Sequence, residues 1–284
     1  MNMDISTNSE LFKTFDNLKL FEQSFSPEGE IKGVIIIIHG LTEHSGFYTR
    51  VSRNLAEHQY AVNLYDLRGH GKSDGPLAFI DSLDEYLDDL SVFLGLVKNR
   101  YPKKPLFLLG QGIGGIISAL YVIENRPEIR GLILSAPALD LNQFLSPFMQ
   151  KMSWILGKLF SRLPLVKMNS SALSKDPLVI QDYEKDPLIY HGKIYAGTCL
   201  ELIRASKAVM KQGNEIEKPI LIVHGKKDQL YRFEGSQALY EKVAHADKTI
   251  KLYEDHHHSL LIESKDKKAY KDILQWTDSH VRTD

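Results

Sequence analysis

Pro105-Leu106-Phe107-Leu108-Leu109-Gly110-Gln111-Gly112-Ile113-Gly114-Gly115-Ile116 runs from an apolar stretch, through a glycine-crowded turn, into a segment of helical period. Leu106 to Leu109 is continuously apolar, as a strand covered by helices on both faces should be. Ile113 to Asn125 reads as a helix, ended by Arg126-Pro127. The same alternation continues on either side. Further strands are expected at Leu18 to Phe25, Val34 to Ile38, Tyr60 to Tyr65, Leu132 to Leu134, Ile220 to Val223 and Ile250 to Tyr253. Leu83 to Lys98 reads as a helix, with Leu83, Leu87, Leu90, Leu94 and Val97 on one face. Short β-rich runs alternating with longer helices are the signature of βαβ units, so the fold class is α/β with a mostly parallel central sheet flanked by helices.

One stretch breaks the alternation. From Asp140 to Glu217 no convincing strand occurs, and Pro147, Pro164, Pro177 and Pro187 divide it into short pieces. The expected organisation is a core of residues 1–139 and 218–284, with residues 140–217 as a helical cap inserted in the same domain. Ser146-Pro147 suits an N-cap followed by the first helical residue. Phe148, Met149, Met152, Ile155, Leu156, Leu159, Phe160 and Leu163 then follow at helical spacing. So wide an apolar face needs a partner: either the main domain, or lipid and an apolar substrate beneath a mobile lid.

Composition removes other function classes. The 284 residues are 43% hydrophobic and 25% charged, ordinary for a globular protein. Lys+Arg 35 against Asp+Glu 36 leaves a net charge of −1, without the basic field that draws proteins to nucleic acid. The longest aliphatic run, Val34 to Ile38, is five residues; a membrane-spanning helix needs about 20. Met1-Asn2-Met3-Asp4-Ile5-Ser6 lacks a basic segment followed by an apolar one, so a cytoplasmic location is expected. Cys199 stands alone, which excludes an intramolecular disulfide and reads as a small buried hydrophobe.

Glycine-rich turns at the carboxyl ends of parallel strands are where α/β proteins place their ligands. Here they are His39-Gly40-Leu41-Thr42-Glu43-His44-Ser45-Gly46 and Asp66-Leu67-Arg68-Gly69-His70-Gly71-Lys72-Ser73-Asp74-Gly75. These motifs resemble the monoacylglycerol lipase and lysophospholipase branch of the α/β-hydrolases. The likeness extends in order through Leu106 to Gly115, Leu134-Ser135-Ala136-Pro137, Asp186-Pro187-Leu188, Leu221 to Asp228 and Leu252 to His258, nearly the whole chain. It implies an α/β-hydrolase fold, a lipid monoester as substrate, no cofactor, and a nucleophilic serine in a sharp Gly-x-Ser-x-Gly turn between strand and helix. At that position this chain has Gly112. Gln111 and Ile113 also differ from the His and Met that commonly flank the family serine.

No other hydroxyl or thiol takes the place convincingly. Gly71-Lys72-Ser73-Asp74-Gly75 has the letter pattern but runs into Pro76 and a loop, whereas the elbow needs a helix at once. Ser118 lies a turn and a half along its helix, and Cys199 sits in the insertion. The Gly110-x-Gly112-x-x-Gly115 spacing also matches a dinucleotide fingerprint. That fingerprint belongs on the first strand and wants an acid about 20 residues on, while here several strands precede it and Asp140 lies past Pro137.

The resemblance assigns the triad acid to Asp228, after the strand Ile220 to Val223, and the base to His258 in Asp255-His256-His257-His258-Ser259-Leu260-Leu261. Three successive histidines invite a metal, but neighbours in extended chain point to opposite faces and cannot easily converge on one ion. The oxyanion hole would use the backbone N–H groups of Leu41 and Ile113, which any side chain can supply. Phe148, Met152, Ile155 and Leu159 are the expected lid and substrate contacts. Glycine enters the strained backbone of an elbow without steric cost, so its presence should not harm folding. Three functions stay open: a lipase-like ester hydrolase weakened or silenced at residue 112, a non-catalytic binder of an acylglycerol, lysolipid or other small apolar ligand, and serine-independent base chemistry by Asp228 and His258. The apolar insertion suggests reversible contact with membrane surfaces.

Overall fold

The computed structural model describes residues 4–262 and 267–281; the first three residues of the N-terminal stretch, with 263–266 and 282–284 of the expected core, lie outside the described residues. The chain opens with β1 (Ile5–Lys13), β2 (Lys19–Pro27) and β3 (Gly33–Ile38), followed by α1 (Thr49–Glu57), β4 (Tyr60–Tyr65), α2 (Asp84–Arg100), β5 (Leu106–Gln111), α3 (Ile113–Asn125) and β6 (Gly131–Ser135). An insertion follows, containing α4 (Pro147–Leu159), β7 (Pro164–Lys167), α5 (Pro177–Lys185), β8 (Lys193–Tyr195) and α6 (Ala196–Gln212). The chain then returns with β9 (Ile220–Gly225), α7 (Phe233–Lys242), β10 (Lys248–Tyr253) and α8 (Lys268–Val281).

Eight strands form one sheet in the order β1-β2-β4-β3-β5-β6-β9-β10. From β4 to β10 every pair is parallel, while β2 runs antiparallel to both β1 and β4. The central strands are buried throughout because alternate side chains serve opposite faces. Ile36, Leu108, Leu134 and Ile222 pack toward α2 and α3, and Ile35, Ile37, Leu109 and Val223 join a second cluster with Val51 and Leu55 of α1 and Trp276 of α8. The mostly parallel sheet, its two helical layers and the helical insertion after β6 are those of an α/β-hydrolase with a cap.

Two expectations need correction. β1 has no counterpart in the sequence reading: it is an edge strand whose burial leaves nearly every residue exposed, so no apolar alternation marks it. The insertion, expected to be free of strands, holds the short antiparallel pair β7 and β8. They are four and three residues long and mostly exposed or half-buried, too short for a period to register.

Candidate active site

The turn between β5 and α3 is a strained elbow. Gly112 has φ +56° and ψ −115°, a region that side-chain-bearing residues occupy only at a cost. The end of β6 and the turn after it clasp the elbow: Gly112 N donates to Ser135 O at 3.0 Å, and Gly112 O accepts from Ala138 N at 3.0 Å. The neighbouring glycines are steric necessities. A Cβ at Gly110 would stand 2.2 Å from Gly114 O, and one at Gly114 would stand 2.2 Å from Ile38 O. Gly112 differs, because the nearest atoms to a Cβ there would be His258 Nε2 at 3.3 Å, His258 Cε1 at 3.5 Å and Tyr231 Cε2 at 3.6 Å. The elbow thus keeps a seat for a side chain, facing a histidine.

Asp228 and His258 are brought together from the loops after β9 and β10. His258 Nδ1 lies 2.8 Å from Asp228 Oδ2, with both side chains buried. Asp228 Oδ1 accepts from Leu230 N at 2.7 Å and Tyr231 N at 3.0 Å. A second imidazole reaches the same carboxylate, His224 Nε2 at 3.1 Å from Oδ2, while His224 Nδ1 faces Ser236 Oγ at 2.7 Å. Burial alone raises a carboxyl's pKa, but here His258 and His224 more than offset it and hold Asp228 well below the usual carboxylate range. Burial likewise pushes His258 down, yet Asp228, with a smaller push from Glu43, carries it above the usual histidine value. The ring of Tyr231 stands edge-on to His258 at 5.2 Å. The third contact to the base comes from Gln111, at the end of β5: its Nε2 donates to His258 O at 3.1 Å and lies 3.2 Å from His258 Nε2.

The loop after β3 closes the other side. Among the described residues, no acceptor pairs with the backbone N–H of Leu41 or of Ile113; Ile113 N is one of the orphan donors at the start of α3. Thr42, at φ +69°, is held in its turn from the cap, its hydroxyl 2.6 Å from that of Tyr183 and its carbonyl accepting from Tyr190 N at 3.1 Å. His44 Nε2 donates to Asp186 Oδ2 at 2.9 Å, joining the same loop to the end of α5. Buried Glu43 accepts from Gly40 N at 2.9 Å and from the Tyr48 hydroxyl. Ser73 is a structural tie, donating to Asp66 O and accepting from Phe21 N. Of the other histidines, His256 packs against Tyr253 rather than joining His258.

The four expected lid residues all lie on α4, and none of the contacts just described involves them. The N-cap forms as the sequence implies, with Ser146 accepting from Met149 N. α4 buries Ser153 and Gly157, the latter tight against Ala196 and Leu200 of α6. Phe148, Ile155 and Leu159 are 72%, 49% and 68% exposed, and Met152 is half-buried. Their stripe is therefore not the surface by which α4 packs on the protein. Sequence reading gave no role to Gln111, His224, Tyr231 or Glu43. His224 carried a signal, since it stands next to the end of β9, four residues before the acid, but nothing in a one-dimensional pattern shows where Gln111 points.

A strained elbow between strand and helix, faced by a buried Asp–His pair and set in this mostly parallel sheet, marks the α/β-hydrolase fold. The family model described as "Serine aminopeptidase, S33" matches residues 29–265. The chain is 31% identical over 277 residues to a monoacylglycerol lipase of Mycolicibacterium smegmatis, covering 97% of this chain and 99% of that one. It is 32% identical over 288 residues to a caffeoylshikimate esterase of Arabidopsis thaliana, covering 97% and 86%. A solved soluble variant of the monoglyceride lipase from Saccharomyces cerevisiae, in complex with a substrate analogue, superposes with a TM-score of 0.86 at 24% identity over 98% of this chain and 97% of that one. The protein belongs to the monoacylglycerol lipase family of the α/β-hydrolases.

Proposed function

We propose that this protein is a lipid-monoester hydrolase scaffold disarmed at one residue, which binds an acylglycerol or related lipid ester and hydrolyses it only slowly. The observation that carries this reading is the direction in which residue 112 opens. The one elbow glycine with room for a side chain faces His258 Nε2 at 3.3 Å, and His258 is backed by Asp228 at 2.8 Å. Asp228 orients His258, and the N–H groups of Leu41 and Ile113 receive the carbonyl oxygen as it becomes an oxyanion. Without a serine oxygen no acyl-enzyme forms, so water must attack the ester with His258 as general base. In a well-studied serine hydrolase, loss of the nucleophile lowers kcat by about 10⁶, roughly 8 kcal/mol of barrier, while hole and binding still leave about 10³ to 10⁴ over water.

Two features of the cap favour a lipid over the phenolic ester in the plant relative's name. The stripe of Phe148, Ile155 and Leu159 is exposed. Residues 141–175 contain Lys151, Lys158, Arg162, Lys167 and Lys175 and no Asp or Glu, in a chain whose net charge is −1. An exposed apolar stripe among cations suits reversible docking on a membrane surface. No helix among the described residues is long and apolar enough to cross a membrane; the reading is of peripheral contact through the cap, on the cytoplasmic side.

The test is glycerol release from a medium-chain monoacylglycerol, comparing the protein with its Gly112→Ser variant at equal concentration and using a caffeoyl ester as comparator. We expect the variant to exceed the parent by several orders of magnitude on the lipid. If neither turns over the lipid, the hydrolase reading fails and a binder remains; if the parent works at an ordinary enzymatic rate, the account of residue 112 is wrong.

A further inference from the structure

We propose that Gln111 is a positioning residue that has taken the place of a nucleophile's hydroxyl on His258, opposing protonation of the imidazole at Nε2 and drawing the ring toward the elbow. This rests on the reading of His258 as the base. With Nδ1–H donated to Asp228 at 2.8 Å, His258 has one acceptor left, the Nε2 lone pair, and the Gln111 amide nitrogen lies 3.2 Å from it. The orientation of that amide is not free: the same nitrogen donates to the carbonyl of His258 at 3.1 Å, so the N–H end must face both acceptors. The other end, Gln111 Oε1, is buried with no partner among the described residues. A buried carbonyl oxygen without a partner is unfavourable, and the arrangement persists because the two contacts to His258 select it.

The charged and titratable groups that face His258 come from two other parts of the chain, β9 with its following loop and the loop after β3. Asp228 and Tyr231 follow β9, Glu43 follows β3, and His224 reaches the ring through Asp228. Both carboxylates favour imidazolium. The Gln111 N–H opposes it, since a protonated Nε2 would bring donor against donor. A serine hydroxyl at residue 112 would compete for the same lone pair, and its Cβ, 3.3 Å from Nε2, would require the ring to retreat by a few tenths of an ångström against the Gln111 bonds. Gly112→Ser alone therefore restores the oxygen without fully restoring its base.

Two measurements on the intact chain test this. The first compares kcat and KM for monoacylglycerol hydrolysis, across pH, in Gly112→Ser and in Gly112→Ser/Gln111→Leu. The second follows His258 by ¹⁵N NMR titration in the parent, in Gln111→Leu, and in Gln111→Glu, which keeps shape but replaces the donor with an acceptor. We expect kcat of the double variant to exceed that of Gly112→Ser by about tenfold with KM little changed, and His258 to titrate at a higher pH in both Gln111 variants. Equal kcat with an unchanged titration overturns the proposal. A shifted titration with no turnover in either serine variant sustains the Gln111 pairing and refutes the hydrolase reading. Turnover with an unshifted titration refutes the pairing alone.

Discussion

The floor of the site and helix α4 of the cap bury opposite kinds of side chain. Around Gly112 the polar groups Asp228, His258, His224 and Gln111 are all buried and held by one another. In α4 the small residues Ser153 and Gly157 are buried, and Phe148, Ile155 and Leu159 face outward. The floor is explained from within, because each of these four side chains is held by a partner in the same chain. The outward stripe of α4 has no such internal account, and removing it should cost the fold little. Substitutions on the two sides measure that difference.

The largest effect is expected at Asp228. Asp228→Ala leaves His258, His224, Leu230 N and Tyr231 N without their shared acceptor. Breaking a buried charge network of this kind costs about 3–5 kcal/mol, measurable by urea unfolding; a loss under about 1 kcal/mol would show that the floor is not held as described. Next comes Gly114→Ala, whose Cβ would stand 2.2 Å from Ile38 O; overpacking that moves backbone costs about 3 kcal/mol. Gly112→Ser in the same turn meets no atom nearer than 3.3 Å and bears the strain of φ +56° with a small retreat of the His258 ring, about 1–2 kcal/mol. Equal costs at 112 and 114 would remove the distinction between a packing glycine and a seat for a side chain.

A pH series refines the floor further. The pKa of His258 is raised in the folded protein by Asp228 and Glu43. Its contribution to stability is therefore fully present below the unfolded value of about 6.5 and is lost as pH rises through the folded value. Asp228, depressed in the folded state by His258 and His224, contributes above the unfolded value of about 3.9 and loses that contribution as pH falls. The difference in unfolding free energy between the parent and His258→Gln should thus be larger at pH 6 than at pH 8.5. A difference independent of pH over that range would mean that the ion pair does not form.

How much of this could be read from the chain follows the same division. β4 and α3 fall on the expected residues because Tyr60 to Tyr65 and Ile113 to Asn125 carry their period and their terminators locally. The elbow was legible as a strand running into a helix through glycines, and Asp228 and His258 stood in recognisable motifs. The grip of Gln111 on His258, the approach of His224 to Asp228 and the edge contact of Tyr231 were not, because each depends on a side-chain direction set by loops from different strands. The hairpin strand β1 was missed for a simpler reason: Ile5, Leu11 and Phe12 among polar residues make no regular alternation.

The smallest expected effect on stability is the most informative about the cap. Phe148→Glu and Leu159→Glu replace side chains that are 72% and 68% exposed, and substitutions at such positions shift stability by about 0.5 kcal/mol or less. If α4 serves only the fold, nothing else should change. If the stripe docks on lipid, the pair of glutamates removes apolar contact and adds negative charge to a segment, residues 141–175, that has five cations and no acids. Co-sedimentation with vesicles containing phosphatidylserine should then fall sharply, while binding of a short, monomeric ester should not. Raising salt should weaken the parent's binding only in part, because screening removes the contribution of the cations and leaves that of Phe148 and Leu159. Unchanged sedimentation of the double variant would refute membrane docking through α4.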